Sequence, residues 1–113
     1  MGERLTTATQ SGVMVVRLEG RLNFGAAPEL RRQLRALIDS GNSRVVVDLS
    51  RVESTDSSGL AVLIDALKTA RRHGGDLRIA AANDKIRASL ELTNLDQVLK
   101  PYDTTDQAFA DAV

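Results

Sequence analysis

Five residues near the middle of the chain, Val45-Val46-Val47-Asp48-Leu49, set the strongest limit on its fold. β-Branched residues favour extended backbone. A run this apolar offers neither side to water. It reads as a central strand buried on both faces, and that needs parallel neighbours and covering helices.

The flanking sequence supplies both. Leu5–Thr9 and Val13–Glu19 read as strands joined at Gln10-Ser11-Gly12, a hairpin. Gly20–Gly25 reads as a loop. Pro28 suits a first helical turn, where its missing N–H costs nothing. Leu30, Leu34, Leu37 and Ile38 then recur at helical spacing until Gly41-Asn42. After the central strand, Ser50–Asp56 reads as a polar loop. A second helix follows, with Leu60, Leu63, Ile64 and Leu67 on one stripe. Lys68, Arg71, Arg72 and His73 close it before Gly74-Gly75, cations complementing the dipole and glycine ending the helix. Leu77–Ala81 predicts a strand. Asn83 or Asp84 can cap a third helix carrying Ile86 and Leu90. Val98-Leu99-Lys100 predicts a short last strand, and Thr104-Thr105-Asp106-Gln107 has the form of a capping box. The alternation predicts an α/β domain: a mixed, mostly parallel sheet of four to five strands, about four helices, and an opening β-hairpin.

At 113 residues the chain is expected to form one domain over 1–113. Fifteen basic residues balance fifteen acidic ones, and only Phe24, Tyr102 and Phe109 are aromatic. That argues against nucleic acid partners and anionic membranes. With no cysteine and one histidine, disulfides and zinc-thiolate sites are excluded, and no metal, cofactor or catalytic residue is expected. The opening Met-Gly-Glu-Arg-Leu-Thr-Thr lacks the apolar core of a secretory signal, which predicts a cytoplasmic protein.

Chemistry concentrates in Thr55-Asp56-Ser57-Ser58-Gly59-Leu60, where the buried strand meets the second helix. Asp and Ser are ordinary N-caps. One cap suffices, however, and three capping types stand in a row. Gly59 is a second oddity, since glycine weakens a first helical turn by up to ~1 kcal/mol relative to alanine. A missing side chain there would let another molecule approach the backbone. A helix N-terminus carries free N–H groups and a partial positive charge, so it tolerates a phosphate. A phosphoserine brings roughly −1.5 to −2 charges. At this point it would be benign to the free protein and hostile to a complex.

Asp56-Ser57-Ser58-Gly59-Leu60, preceded by Val45–Leu49, resembles the signature of the STAS domain, specifically of anti-sigma-factor antagonists. Gly20-Arg21-Leu22-Asn23 resembles the family's Gly-x-Leu-Asp segment, Ala27-Pro28-Glu29-Leu30 the start of its first helix, and Gly74-Gly75 the entry to its next strand. The resemblance covers nearly the whole chain. It implies a partner-switching regulator and not an enzyme. The unmodified form captures an anti-sigma factor with serine kinase activity and frees the sigma factor. Phosphorylation of Ser57 ends that binding, and a PP2C-type phosphatase restores it. Asp56 would orient the hydroxyl and help dock the kinase, Ser58 would cap or contact the partner, and Gly59 would allow close approach. Asn23 would line the interface. Val62, off the apolar stripe, is either an exposed partner contact or a residue at the core edge. Two departures bear on partner identity: Asn23 stands where the family usually has aspartate, and Ala61 where many members have glycine.

Other readings fare less well. A serine hydrolase needs Gly-x-Ser-x-Gly and a histidine base, and His73 lies some four turns down the same helix. The clusters Arg31-Arg32-Arg35 and Lys68-Arg71-Arg72 read as solvated helix faces, with Asp39 and Asp65 in the same segments. The remaining alternatives keep the fold and change the output: a partner-switching regulator of something other than a sigma factor, or an unphosphorylated adaptor in a transporter or stressosome-like complex.

Overall fold

The structure, a computed structural model, describes residues 4–109. Strands β1 (Arg4–Gln10) and β2 (Val13–Leu22) form the expected antiparallel hairpin. Its turn is Ser11-Gly12, with φ of +53° and +79°, a left-handed pair that suits the twist of the strands. Helix α1 (Ala27–Asp39), strand β3 (Arg44–Thr55), helix α2 (Ser57–Arg72), strand β4 (Asp76–Ala80), helix α3 (Asp84–Leu92), strand β5 (Pro101–Tyr102) and helix α4 (Thr105–Ala108) follow. The sheet runs in chain order, β1-β2-β3-β4-β5, parallel after the hairpin.

Each parallel strand is added on the same side of the last. Right-handed crossovers then place α1, α2 and α3 on one face of the sheet. There Val45, Val47 and Leu49 of β3 pack with Leu34 and Ile38 of α1, Leu63 and Leu67 of α2, and Ile86 and Leu90 of α3. Val46 points the other way, into a smaller cluster with Ala80, Ala108 and Phe109. The central run is therefore buried on both faces, as its sequence predicts. The Phe109 ring lies 5.5 Å from the Arg44 guanidinium and 4.3 Å from that of Arg78, which ties α4 to the sheet.

Asp48 shares the α4 face and is only 5% exposed. Its carboxylate accepts the Ser50 N–H at 2.9 Å and the Arg17 Nε–H at 3.2 Å. Burial alone would raise its carboxyl. The Ser50 and Arg17 bonds outweigh burial and hold it below the usual carboxylate value.

Four expectations need correction. Gly20–Gly25 is a loop only from Asn23 on, because β2 continues to Leu22. The polar stretch Ser50–Asp56 is not a loop, because β3 continues to Thr55. Two register shifts against β2, around Arg17/Glu19 and Gly20/Arg21, keep the strands paired while breaking the inside-outside alternation. Val98-Leu99-Lys100 is not a strand. The Val98 and Leu99 N–H groups both turn back to the Leu95 carbonyl, and β5 begins at Pro101. Proline has no N–H to give a ladder, so an edge strand is where it can sit. Strand β4 stops at Ala80 because Ala81 turns left-handed, with φ of +60°. The helix signals hold: Asn83 caps α3 through the Ile86 N–H, and Thr104 caps α4 through the Gln107 N–H.

Candidate functional site

Two connections meet at the carboxyl end of the sheet, the β3–α2 junction and the β2–α1 loop. One side chain joins them. Asp56 leaves β3 in extended backbone (φ −112°, ψ −173°) and caps α2. Its Oδ1 accepts the Gly59 N–H at 3.0 Å, and its Oδ2 accepts the Phe24 N–H at 3.0 Å. The Asp56 N–H donates to the Leu22 carbonyl at 3.1 Å, and the Thr55 hydroxyl lies 3.1 Å from the same oxygen. The start of α2 is thus fastened to the end of β2.

Asn23 works within its own loop. Its main-chain carbonyl accepts the Ala26 and Ala27 N–H groups at 3.0 Å, and its Oδ1 accepts from Ala26 at 3.1 Å. It stands at the expected end of the sheet and is exposed there. An amide serves this turn as an aspartate would, so the loss of charge costs no local structure.

Ser57, the first residue of α2, is exposed, and Ser58 is half-buried. Neither hydroxyl makes a hydrogen bond among the described residues. The cap is Asp56, so Ser58 is not the cap suggested as one of its roles.

Gly59 is not the surface contact expected of it, and of the two readings of Val62 the structure favours the core residue over the exposed contact. Both are buried in the first turns of α2. A Cβ on Gly59 would collide with the Leu22 carbonyl and the Thr55 hydroxyl, and would lie 2.8 Å from the Leu22 Cβ. The glycine admits the domain's own β2, not a visitor. Val62 is fully buried. Helix α2 is covered on two sides, and Gly59, Val62, Ala66 and Ala70 continue its buried surface beyond the Leu60-Leu63-Leu67 stripe.

One residue at the site escapes a sequence reading. Phe24 is 80% exposed, although its backbone is held by Asp56. It belongs to no apolar period. The only available signal is a lone aromatic between Asn23 and Gly25 in a loop. At the far end of α2, His73 Nε2 pairs with Asp39 at 3.0 Å. It lies sixteen residue steps along the helix from Ser57, about 24 Å at ~1.5 Å each, so His73 cannot serve that hydroxyl as a base. No helix among the described residues is long and apolar enough to cross a membrane.

Comparison with known proteins bears on the family and the fold. The family model for the STAS domain matches residues 4–108. A Thermotoga maritima relative is 38% identical over 71 residues, 63% of each chain, so the match spans less than two thirds of that relative. The anti-sigma-B factor antagonist of Staphylococcus aureus is 27% identical over 106 residues, 94% of this chain and 98% of its own. The crystal structure of an anti-sigma factor antagonist from Mycobacterium paratuberculosis superposes with a TM-score of 0.86 at 28% identity, covering 96% of this chain and 92% of that one. With the family signature matched across nearly every described residue, the chain belongs to the STAS domain family.

Proposed function

We propose that the chain is an anti-sigma-factor antagonist whose binding is switched by phosphorylation of Ser57. In its unmodified form it captures an anti-sigma factor that is also a serine kinase, and so releases the sigma factor. The kinase transfers phosphate from ATP to Ser57, and the complex dissociates. A PP2C-type phosphatase resets the protein, all within the cytoplasm. The names of the relatives support the first step.

One observation carries the reading of Ser57. Its hydroxyl is exposed at the start of a helix and holds nothing together, because Asp56 performs the capping. A phosphate there leaves every native hydrogen bond in place and meets water and a favourable helix dipole. Under a partner the same dianion would be stripped of water beside the Asp56 carboxylate, which is expensive. Between the two serines, exposure favours Ser57, since Ser58 is half-buried.

The test is capture of partners from the native cell on wild type, Ser57→Ala and Ser57→Asp. Ser57→Ala retains the kinase partner and cannot be switched off. Ser57→Asp holds it more weakly. Phosphopeptide mass spectrometry is expected to find the phosphate on Ser57, and finding it on Ser58 instead would refute the assignment. Equal capture by all three removes Ser57 from the mechanism.

A further inference from the structure

Helices α1 and α2 run side by side in the same direction, at a near-constant sequence offset. Arg35 reaches Asp65, Asp39 reaches His73, and the loop before α1 reaches Asp56 through Phe24. The offset puts Pro28 level with Ala61, one turn in from Phe24 and Ser57. Phe24, Gly25, Pro28, Ser57 and Ala61 are all exposed and uncharged. Of the charges beside them, Asp56 has both oxygens committed to backbone N–H groups, and Glu29, next to Pro28, is paired with Arg32 on its own helix. The first ion pairs bridging the two helices come at the level of Asp65, with Arg31 and Arg35.

From this we infer that Phe24 is the apolar anchor of the docking surface, inserting into an apolar socket on the same kinase partner that modifies Ser57. The inference rests on the function proposed above and adds what the partner must look like. Three large apolar side chains are exposed among the described residues, Phe24, Leu92 and Val98. Phe24 alone of these adjoins Ser57, and its backbone is pinned from both sides, by Asp56 and by the Asn23 turn. An aromatic presented on fixed backbone loses little freedom when bound. Aromatic residues that seal water out of an interface also carry a disproportionate share of its energy.

This assigns a cause to the switch. A socket closing over Phe24, Pro28 and Ala61 dries the ground on which Ser57 stands. Phosphate then breaks the complex chiefly because it cannot be desolvated, and the partner needs no acidic group to repel it. It also gives the Asp56 carboxylate a second duty as a positioning group: one oxygen starts the helix and the other sets the anchor.

The test uses the purified serine kinase that phosphorylates this chain, titrated calorimetrically with wild type, Phe24→Ala, Phe24→Leu, Leu92→Ala and Ser57-phosphorylated wild type, in 0.1 and 0.5 M NaCl. Phe24→Ala is expected to weaken binding about 30-fold, the scale of an aromatic hot spot. Phe24→Leu stays within about threefold of wild type, and Leu92→Ala, outside the surface, is unchanged. Melting temperatures of the Phe24 variants stay within about 2 °C of wild type, because the ring buries little in the free protein. The wild-type affinity changes by less than about threefold between the two salts, as an apolar contact requires. Phe24→Ala binding like wild type, or an affinity falling tenfold with salt, overturns the anchor while leaving the switch intact. Phosphorylated and unmodified wild type binding alike defeats the switch itself, whatever Phe24 does.

Discussion

Replacing Gly59 by alanine sets two known effects against each other, and the structure decides the sign. Helix propensity alone favours alanine in the first turn of α2 by up to ~1 kcal/mol. The added methyl, however, meets the Leu22 carbonyl and the Thr55 hydroxyl, and comes to 2.8 Å from the Leu22 Cβ. These neighbours have little room to yield. The Leu22 carbonyl accepts the Asp56 N–H at 3.1 Å, and the Leu22 side chain is 1% exposed. Forcing a methyl into packed surroundings costs roughly 1–3 kcal/mol, and a rigid backbone neighbour puts this site toward the upper end. The net expectation is a loss of about 1–2 kcal/mol, or about 4–8 °C in melting temperature at ~4 °C per kcal/mol for a domain of this size. Urea and thermal denaturation followed by far-ultraviolet circular dichroism read both quantities. A Gly59→Ala protein as stable as wild type, or more so, refutes the claim that glycine is present to seat α2 against β2. It would restore the alternative, a backbone left bare for a partner.

Asp56 and Asp48 support further expectations. Asp56→Ala removes the acceptors for the Gly59 and Phe24 N–H groups and should cost about 1–2 kcal/mol for the cap, with a smaller loss for the solvent-exposed loop bond. Asp56→Asn keeps a carbonyl oxygen for one of the two, so its urea midpoint falls between those of wild type and Asp56→Ala. Equal midpoints for the two variants would contradict the double attachment. The folded Asp48 carboxyl titrates below its unfolded value, so its contribution is present above the unfolded pKa, about 3.9, and is lost as pH falls through the folded value. Urea melts from about pH 7 down to about pH 2.5 should therefore show Asp48→Asn less stable than wild type at neutral pH, with the difference narrowing below about pH 4. A gap that stays constant or widens in acid would deny the depressed carboxyl.

Sequence reading succeeded where one residue type has one dominant use. A Val-Val-Val run belongs in the middle of a parallel sheet, and a Thr-x-x-Gln before a terminal helix caps it. It failed where the use depends on a neighbour distant in sequence. Ser50–Asp56 is too polar and irregular to alternate, yet β3 stays paired with β2 by carrying one extra residue at each of two register shifts. Val62, left open between core edge and exposed contact, lies off the apolar stripe of its own helix, but α2 is covered on two sides and a single period describes only one of them. Gly59 looked open toward a partner because nothing in the local sequence reveals that Leu22 sits against it. Phe24 passed as one aromatic among three, since exposure at 80% is a property of the folded loop. At the site, Asp56, Ser57 and Asn23 were legible because their chemistry is local to a helix start or a turn. The surface around them was not, because it is assembled from two connections 32 residues apart.

The division of roles between neighbouring residues also has a physical logic. Under the proposed switch, had Ser57 been the N-cap, its phosphorylation would have removed a capping oxygen from α2 and tied each cycle of modification to helix stability. Asp56 takes the cap instead, and its second oxygen fixes the adjoining loop. Ser57 is left with a hydroxyl that reports to the outside alone. Its substitution should therefore alter binding with little change in melting temperature, whereas substitution of Asp56 should alter both. Under the proposed switch, folding and signalling would be kept apart by one bond in the chain, and a switch that is reset repeatedly without unfolding needs that separation.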